Sequence, residues 1–61
     1  MQIHFVVKTW REFSVMVNSN VAPYLSLAKA NCRAKEMNEK LTTQEEADEV
    51  QYFVESFVIE Y

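Results

Sequence analysis

Glycine is missing from this chain, where average usage of about 7% would place roughly four. Several chemistries are excluded with it. A P-loop, a dinucleotide-binding turn, a nucleophile elbow and an EF-hand loop all need glycine where the backbone turns tightly or lies against a ligand.

Cysteine is nearly absent too, with Cys32 alone, so no disulfide can form within the chain. With His4 as the one histidine, a four-ligand structural zinc site cannot be assembled either. No metal or cofactor is expected. Neither a basic leader followed by a long apolar run nor a membrane-length apolar stretch occurs, so the expectation is a cytoplasmic protein, complete from Met1.

What is present is 61 residues, 49% hydrophobic and 25% charged, the composition of a folded domain and not of a disordered segment. Only one folding unit fits, residues 1–61. A domain of this size buries only about 60% of the surface that its unfolded chain exposes, and the usual supplements are disulfides, metals or association. Two are excluded, so the sequence predicts association, most simply as a homodimer.

Net charge is −3, a small acidic balance that argues against a general nucleic-acid binder. Its distribution is uneven. Residues 1–44 hold six bases and three acids, for +3, and residues 45–61 hold six acids and no base, for −6.

Ile3, Phe5 and Val7 alternate with Gln2, His4 and Lys8, the period of a strand from Gln2 to Trp10, although Val6 and Trp10 make its second face partly apolar as well. Phe13, Val15 and Val17 predict a second strand after a turn near Thr9 to Glu12. Asn18-Ser19-Asn20 then predicts a turn, with Pro23 ending the strand and a loop running to about Tyr24.

Ser26 suits a helix N-cap, followed by Leu27, Ala30, Ala34, Met37 and Leu41 at helical steps. The outer face of that helix carries Lys29, Arg33, Lys35, Glu36, Glu39 and Lys40, with four-apart ion pairs. Thr43 and Glu46 suggest a capping box and a short turn through Glu49.

From Val50 onward the spacing fits a helix and the composition fits a strand; the β-branched and aromatic content favours the strand. Phe53, Phe57, Ile59 and Tyr61 then share one face, and Tyr52, Val54 and Val58 the other.

A crossover through the helix brings the third strand to the far side of the first, so the expected fold is α+β, a ββαβ domain. Its sheet has three antiparallel strands in the order 2-1-3 and one helix on one face. The expected core sets Leu27, Ala30, Ala34, Met37 and Leu41 on Ile3, Phe5, Val7, Phe13, Val15, Val17, Phe53 and Phe57.

The reversal between two strands, the Ala-rich helix closing in Met37-Asn38-Glu39-Lys40-Leu41, the acidic connector Gln44 to Glu49 and the Tyr52-Phe53-Val54-Glu55 strand resemble the small uncharacterised ββαβ proteins common in bacteriophage and bacterial genomes. The resemblance implies that fold and a phage or mobile-element origin. Small proteins of that origin often bind a host protein.

No candidate catalytic group has the partners that catalysis needs. His4 lacks an evident paired carboxylate, Cys32 lacks a base, and the acids at 45, 46, 48 and 49 lack calcium-loop spacing. No enzyme activity is expected. The surface set is Val6, Trp10, Met16, Tyr52, Val54 and Val58, expected on the uncovered sheet face as a protein interface. The functional expectation is therefore an interaction module that self-associates or binds a host protein; the alternative is a nucleic-acid accessory protein presenting the basic helix face 29–40 to phosphates.

Overall fold

A computed structural model describes residues 1–60 and gives the order β1 (Gln2–Glu12), β2 (Val15–Tyr24), α1 (Leu27–Glu39), α2 (Thr43–Ala47) and β3 (Gln51–Val58). The three strands form one sheet in the order β2-β1-β3 with both pairings antiparallel, as the sequence predicts. Tyr61, assigned to a sheet face above, lies outside the described residues. No helix among them is long and apolar enough to cross a membrane.

β1 and β2 are longer than expected, and the turn between them is shorter. Glu12 pairs with Val15, leaving Phe13 and Ser14 as a two-residue loop in which Phe13 takes a left-handed φ of 58°. Two-residue hairpins need positive φ at the first loop position, which is usually glycine's place. With no glycine available, a phenylalanine occupies it with its side chain 95% exposed.

Asn18, Ser19 and Asn20 do not turn the chain; they sit inside β2 opposite Thr9, Lys8 and Val7. The register shifts there, since Val6 faces Ala22 and Val7 faces Asn20, with Val21 as the extra residue of a bulge. Pro23 likewise continues the strand. β2 is an edge strand, where a missing N–H need not break a ladder.

Ser26 caps α1 as expected, its hydroxyl accepting the Lys29 N–H at 3.3 Å. The second cap is one residue earlier than the sequence suggested. Thr42 Oγ1 accepts the Glu45 N–H at 3.2 Å while a Glu45 carboxylate oxygen accepts the Thr42 N–H at 3.1 Å, a reciprocal capping box that opens α2. The connector then locks onto β1 through the Arg11 N–H donating to the Asp48 carbonyl at 2.9 Å and an Arg11–Glu49 ion pair at 2.7 Å.

The main correction concerns the face that α1 covers. Ala30 and Ala34 lie on Val6, which is fully buried, with Tyr24, Met37, Tyr52 and Val54 packed around them. The expected packing on the Phe5 and Phe53 side is therefore reversed, and Phe13, Val15 and Leu27 of the expected core are exposed. Both faces of β1 are apolar in its middle, since Val6 and Val7 point to opposite sides and both are buried, so strand periodicity cannot choose between them. The choice belongs to chain path and fit: a crossover has a preferred hand, and two alanines let a helix approach a β-branched surface closely.

Candidate interaction site

With α1 on the Val6 side, the six residues expected to share an open face do not do so. Val6 is beneath the helix, and Tyr52 and Val54 are partly buried at its margin. Trp10 is on that same side, half-buried, with the Lys8 Nζ 5.3 Å from its ring centroid. Met16 pairs with Arg11 and so points to the opposite side, and Val58 lies past the helix with 66% of its surface exposed.

The open face belongs to the other set. Ile3, Phe5 and Val7 of β1 alternate onto it, and the register brings Phe57 opposite Ile3, Glu55 opposite Phe5 and Phe53 opposite Val7. Phe5 and Phe57 meet edge to face on the diagonal, ring centroids 5.7 Å apart at 73°, the arrangement that aromatic quadrupoles favour. Phe53 and Phe57 remain 41% and 45% exposed. This patch is apolar at the end of the sheet where β1 begins and polar at the other, where Thr9, Arg11, Asn18 and Gln51 follow.

One charge stands inside the patch. Glu55 is flanked along β3 by Phe53 and Phe57 and across by Phe5. Arg11 is the only base that β1 and β3 contribute to this side, and Glu49 already holds it. An exposed carboxylate ringed by phenylalanines is cheap while water reaches it and costly once covered without a cation.

His4 is buried and shares a 2.6 Å hydrogen bond between its Nδ1 and the Ser56 hydroxyl. Among the described residues no carboxylate hydrogen-bonds the imidazole, so nothing orients it as the base of a nucleophilic triad is oriented. The contact ties β1 to β3. Cys32 is exposed on α1. Among the described residues, no three His, Cys, Asp or Glu side chains converge as metal ligands.

A shallow cleft of about 340 Å³ lies between the helices, lined by Arg33, Glu36, Met37, Lys40, Glu45 and Tyr52. Its cations are engaged. Arg33 and Lys40 both bind Glu36, at 3.0 and 3.1 Å, and hold that carboxyl below its ordinary pKa, with Lys40 the larger influence. Glu45 is lowered by the Thr42 backbone N–H, and Tyr52 is raised by burial and then by the Glu45 carboxylate beside its hydroxyl. Two of the four bases proposed for phosphate contact, Arg33 and Lys40, thus share the single Glu36 carboxylate.

The fold and the open face define a small α+β domain with one helix-covered and one uncovered sheet surface. No protein-family model, curated protein or solved structure matches this chain.

The open sheet face differs from the expected one only in its side. Alternation had already grouped Phe53 with Phe57 and separated them from Tyr52, Val54 and Val58. The signal that could have chosen between the groups is Glu55, because a charge between two phenylalanines on one strand face marks the face that water reaches.

Proposed function

We propose that this domain is a protein-interaction module that binds a partner through the open sheet face presented by Ile3, Phe5, Phe53 and Phe57. The observation that carries the reading is the apolar patch built around Glu55, with no element among the described residues laid over it. The partner it suits presents an apolar surface with a lysine or arginine placed to meet Glu55. Face-to-face packing of two copies is disfavoured, because it would bring Glu55 of each into the contact with no free cation opposite. The net charge of −3 favours encounter with a basic surface. The resemblance to small phage and bacterial ββαβ proteins adds a host protein as the partner and a mobile-element origin to the same proposal.

Affinity capture with quantitative mass spectrometry tests it by comparison among variants. A partner retained by the wild type and by Lys35→Glu, but lost with Phe57→Asp and with Glu55→Lys, supports the face. Retention by all four proteins rules the face out. The nucleic-acid alternative separates by salt, since phosphate contacts weaken steeply with ionic strength and an apolar contact does not.

A further inference from the structure

Both outer strands of the sheet present unpaired backbone groups, and they are protected differently. β2 carries a bulge and Pro23, devices that discourage a further strand. β3 is regular over Gln51–Val58 and pairs only with β1. One of its outward positions is closed. The Asn38 amide donates to the Tyr52 carbonyl and accepts from the Tyr52 N–H, both at 2.8 Å, occupying that position as a neighbouring strand would.

This clamp fixes which residues face outward. If the Tyr52 N–H and carbonyl point away from β1, then Val54, Ser56 and Val58 point the same way, because the pattern repeats every second residue. The Ile59 N–H bond to the Met1 carbonyl agrees, placing the odd residues toward the first strand. Among the described residues nothing pairs with the outer backbone groups of Val54, Ser56 and Val58.

α1 leaves this end of the edge free. The helix starts after Tyr24, which lies level with Ser56 but on β2, at the other edge of the sheet, and it crosses to β3 over Val54 and Tyr52, where Asn38 bonds the Tyr52 backbone. The exposure of Val58 follows from that diagonal path.

We propose that a second copy of this chain pairs with the β3 edge, antiparallel about a two-fold axis at Ser56. Val54 then lies opposite Val58 of the partner subunit, Ser56 opposite itself, and Phe53 opposite Ile59 of the partner subunit. Three observations select this register. It uses every free outward position and leaves Tyr52 to Asn38. The register one step toward the N-terminus would set Glu55 directly against Glu55, which like charge disfavours, and would also need Tyr52. The chosen register sets valine against valine on one face; on the other it sets phenylalanine against isoleucine at its ends and Glu55 against Phe57 of the partner subunit beside the axis, so no like charges stand opposite each other. It joins two sheets into one of six strands and leaves both phenylalanine faces on the same side, so the dimer is bivalent for the partner proposed above. The edge contact itself does not depend on that partner.

Light scattering across a dilution series, with covalent trapping, tests the register. In a Cys32→Ser background, Ser56→Cys places two thiols across the axis, where the Cα separation of a hydrogen-bonded strand pair, about 5.5 Å, is within disulfide range. Mild oxidation is expected to give a dimer that reductant reverses, and Gln51→Cys in the same background is expected to give none. Val58→Pro removes an outward N–H without touching the β1 ladder, so the expected result is an unchanged circular dichroism spectrum and a dimer dissociation constant raised by at least about tenfold. A wild-type protein that stays monomeric, a Val58→Pro variant that dimerises normally, or equal trapping at 51 and 56 would each overturn the proposal. Failure here with Phe57-dependent partner capture intact leaves the interaction reading standing, and the reverse outcome leaves the edge standing.

Discussion

Asn38 and Tyr52 are joined by two 2.8 Å hydrogen bonds in which a side-chain amide substitutes for a strand at the sheet edge. One residue thereby fixes the end of α1 to β3 and closes a backbone position that would otherwise be open. Replacing Asn38 by Ala is expected to lower stability by about 1 to 2 kcal/mol, since two modest bonds at an exposed site are lost. Asn38→Asp keeps the acceptor and loses the donor, so urea unfolding should place it between the two. Equal midpoints for all three proteins would show that the clamp is energetically idle.

Phe13 holds a left-handed backbone at the hairpin tip with its ring in water. A β-carbon in that region costs roughly 1 to 2 kcal/mol, which glycine avoids. Phe13→Gly is therefore expected to raise the melting temperature. A lower one would mean that the exposed ring stabilises the fold by a contact that its exposure does not reveal.

Ala30 is fully buried against Val6, so the space above the sheet there is set by a methyl group. Ala30→Leu is expected to destabilise by about 1 to 3 kcal/mol through overpacking. Leu27→Ala, at a position 47% exposed, should change stability far less. Thermal melts giving the opposite order would put the helix on the other face.

His4 depends on Ser56 for a polar contact inside the sheet. Ser56→Ala leaves the buried ring nitrogen without that partner and is expected to cost about 1 to 3 kcal/mol in chemical denaturation. Ser56→Thr, which keeps a hydroxyl on a strand-favouring residue, should recover much of it.

Glu45 has its carboxyl pKa lowered, first by the Thr42 backbone N–H. A depressed carboxylate pKa stabilises the folded state above the ordinary carboxylate range, and that stabilisation disappears as pH falls through the lowered value. Acidification below pH about 4.5 should therefore loosen the α2 cap. Carboxyl chemical shifts followed by NMR should show Glu45 titrating below the ordinary carboxylate range. Thr42→Ala removes the side-chain half of the box, and Glu45 is expected to move back toward that range.

The sequence alone determined the elements that periodicity and local chemistry encode. The β1 alternation, the Ser26 cap with its helical stripe and the β-branched tail are properties of neighbours along the chain, and each is present. So is the order β2-β1-β3, because few paths connect two strands, a helix and a strand. The cap of α2 falls on Thr42, one residue before the Thr43 that the sequence suggests, because the two threonines offer equal hydroxyls and only the realised backbone decides which one meets a Glu at N3. Asn18 to Asn20 predict a turn because turn propensity is local, whereas pairing with β1 is not, and the pairing prevails. The side of the sheet that α1 covers was decided by tertiary structure alone. Val6 and Val7 are equally apolar and point opposite ways, so burial of either satisfies the sequence pattern; chain path and close Ala30–Val6 packing choose one and leave the phenylalanines on the other.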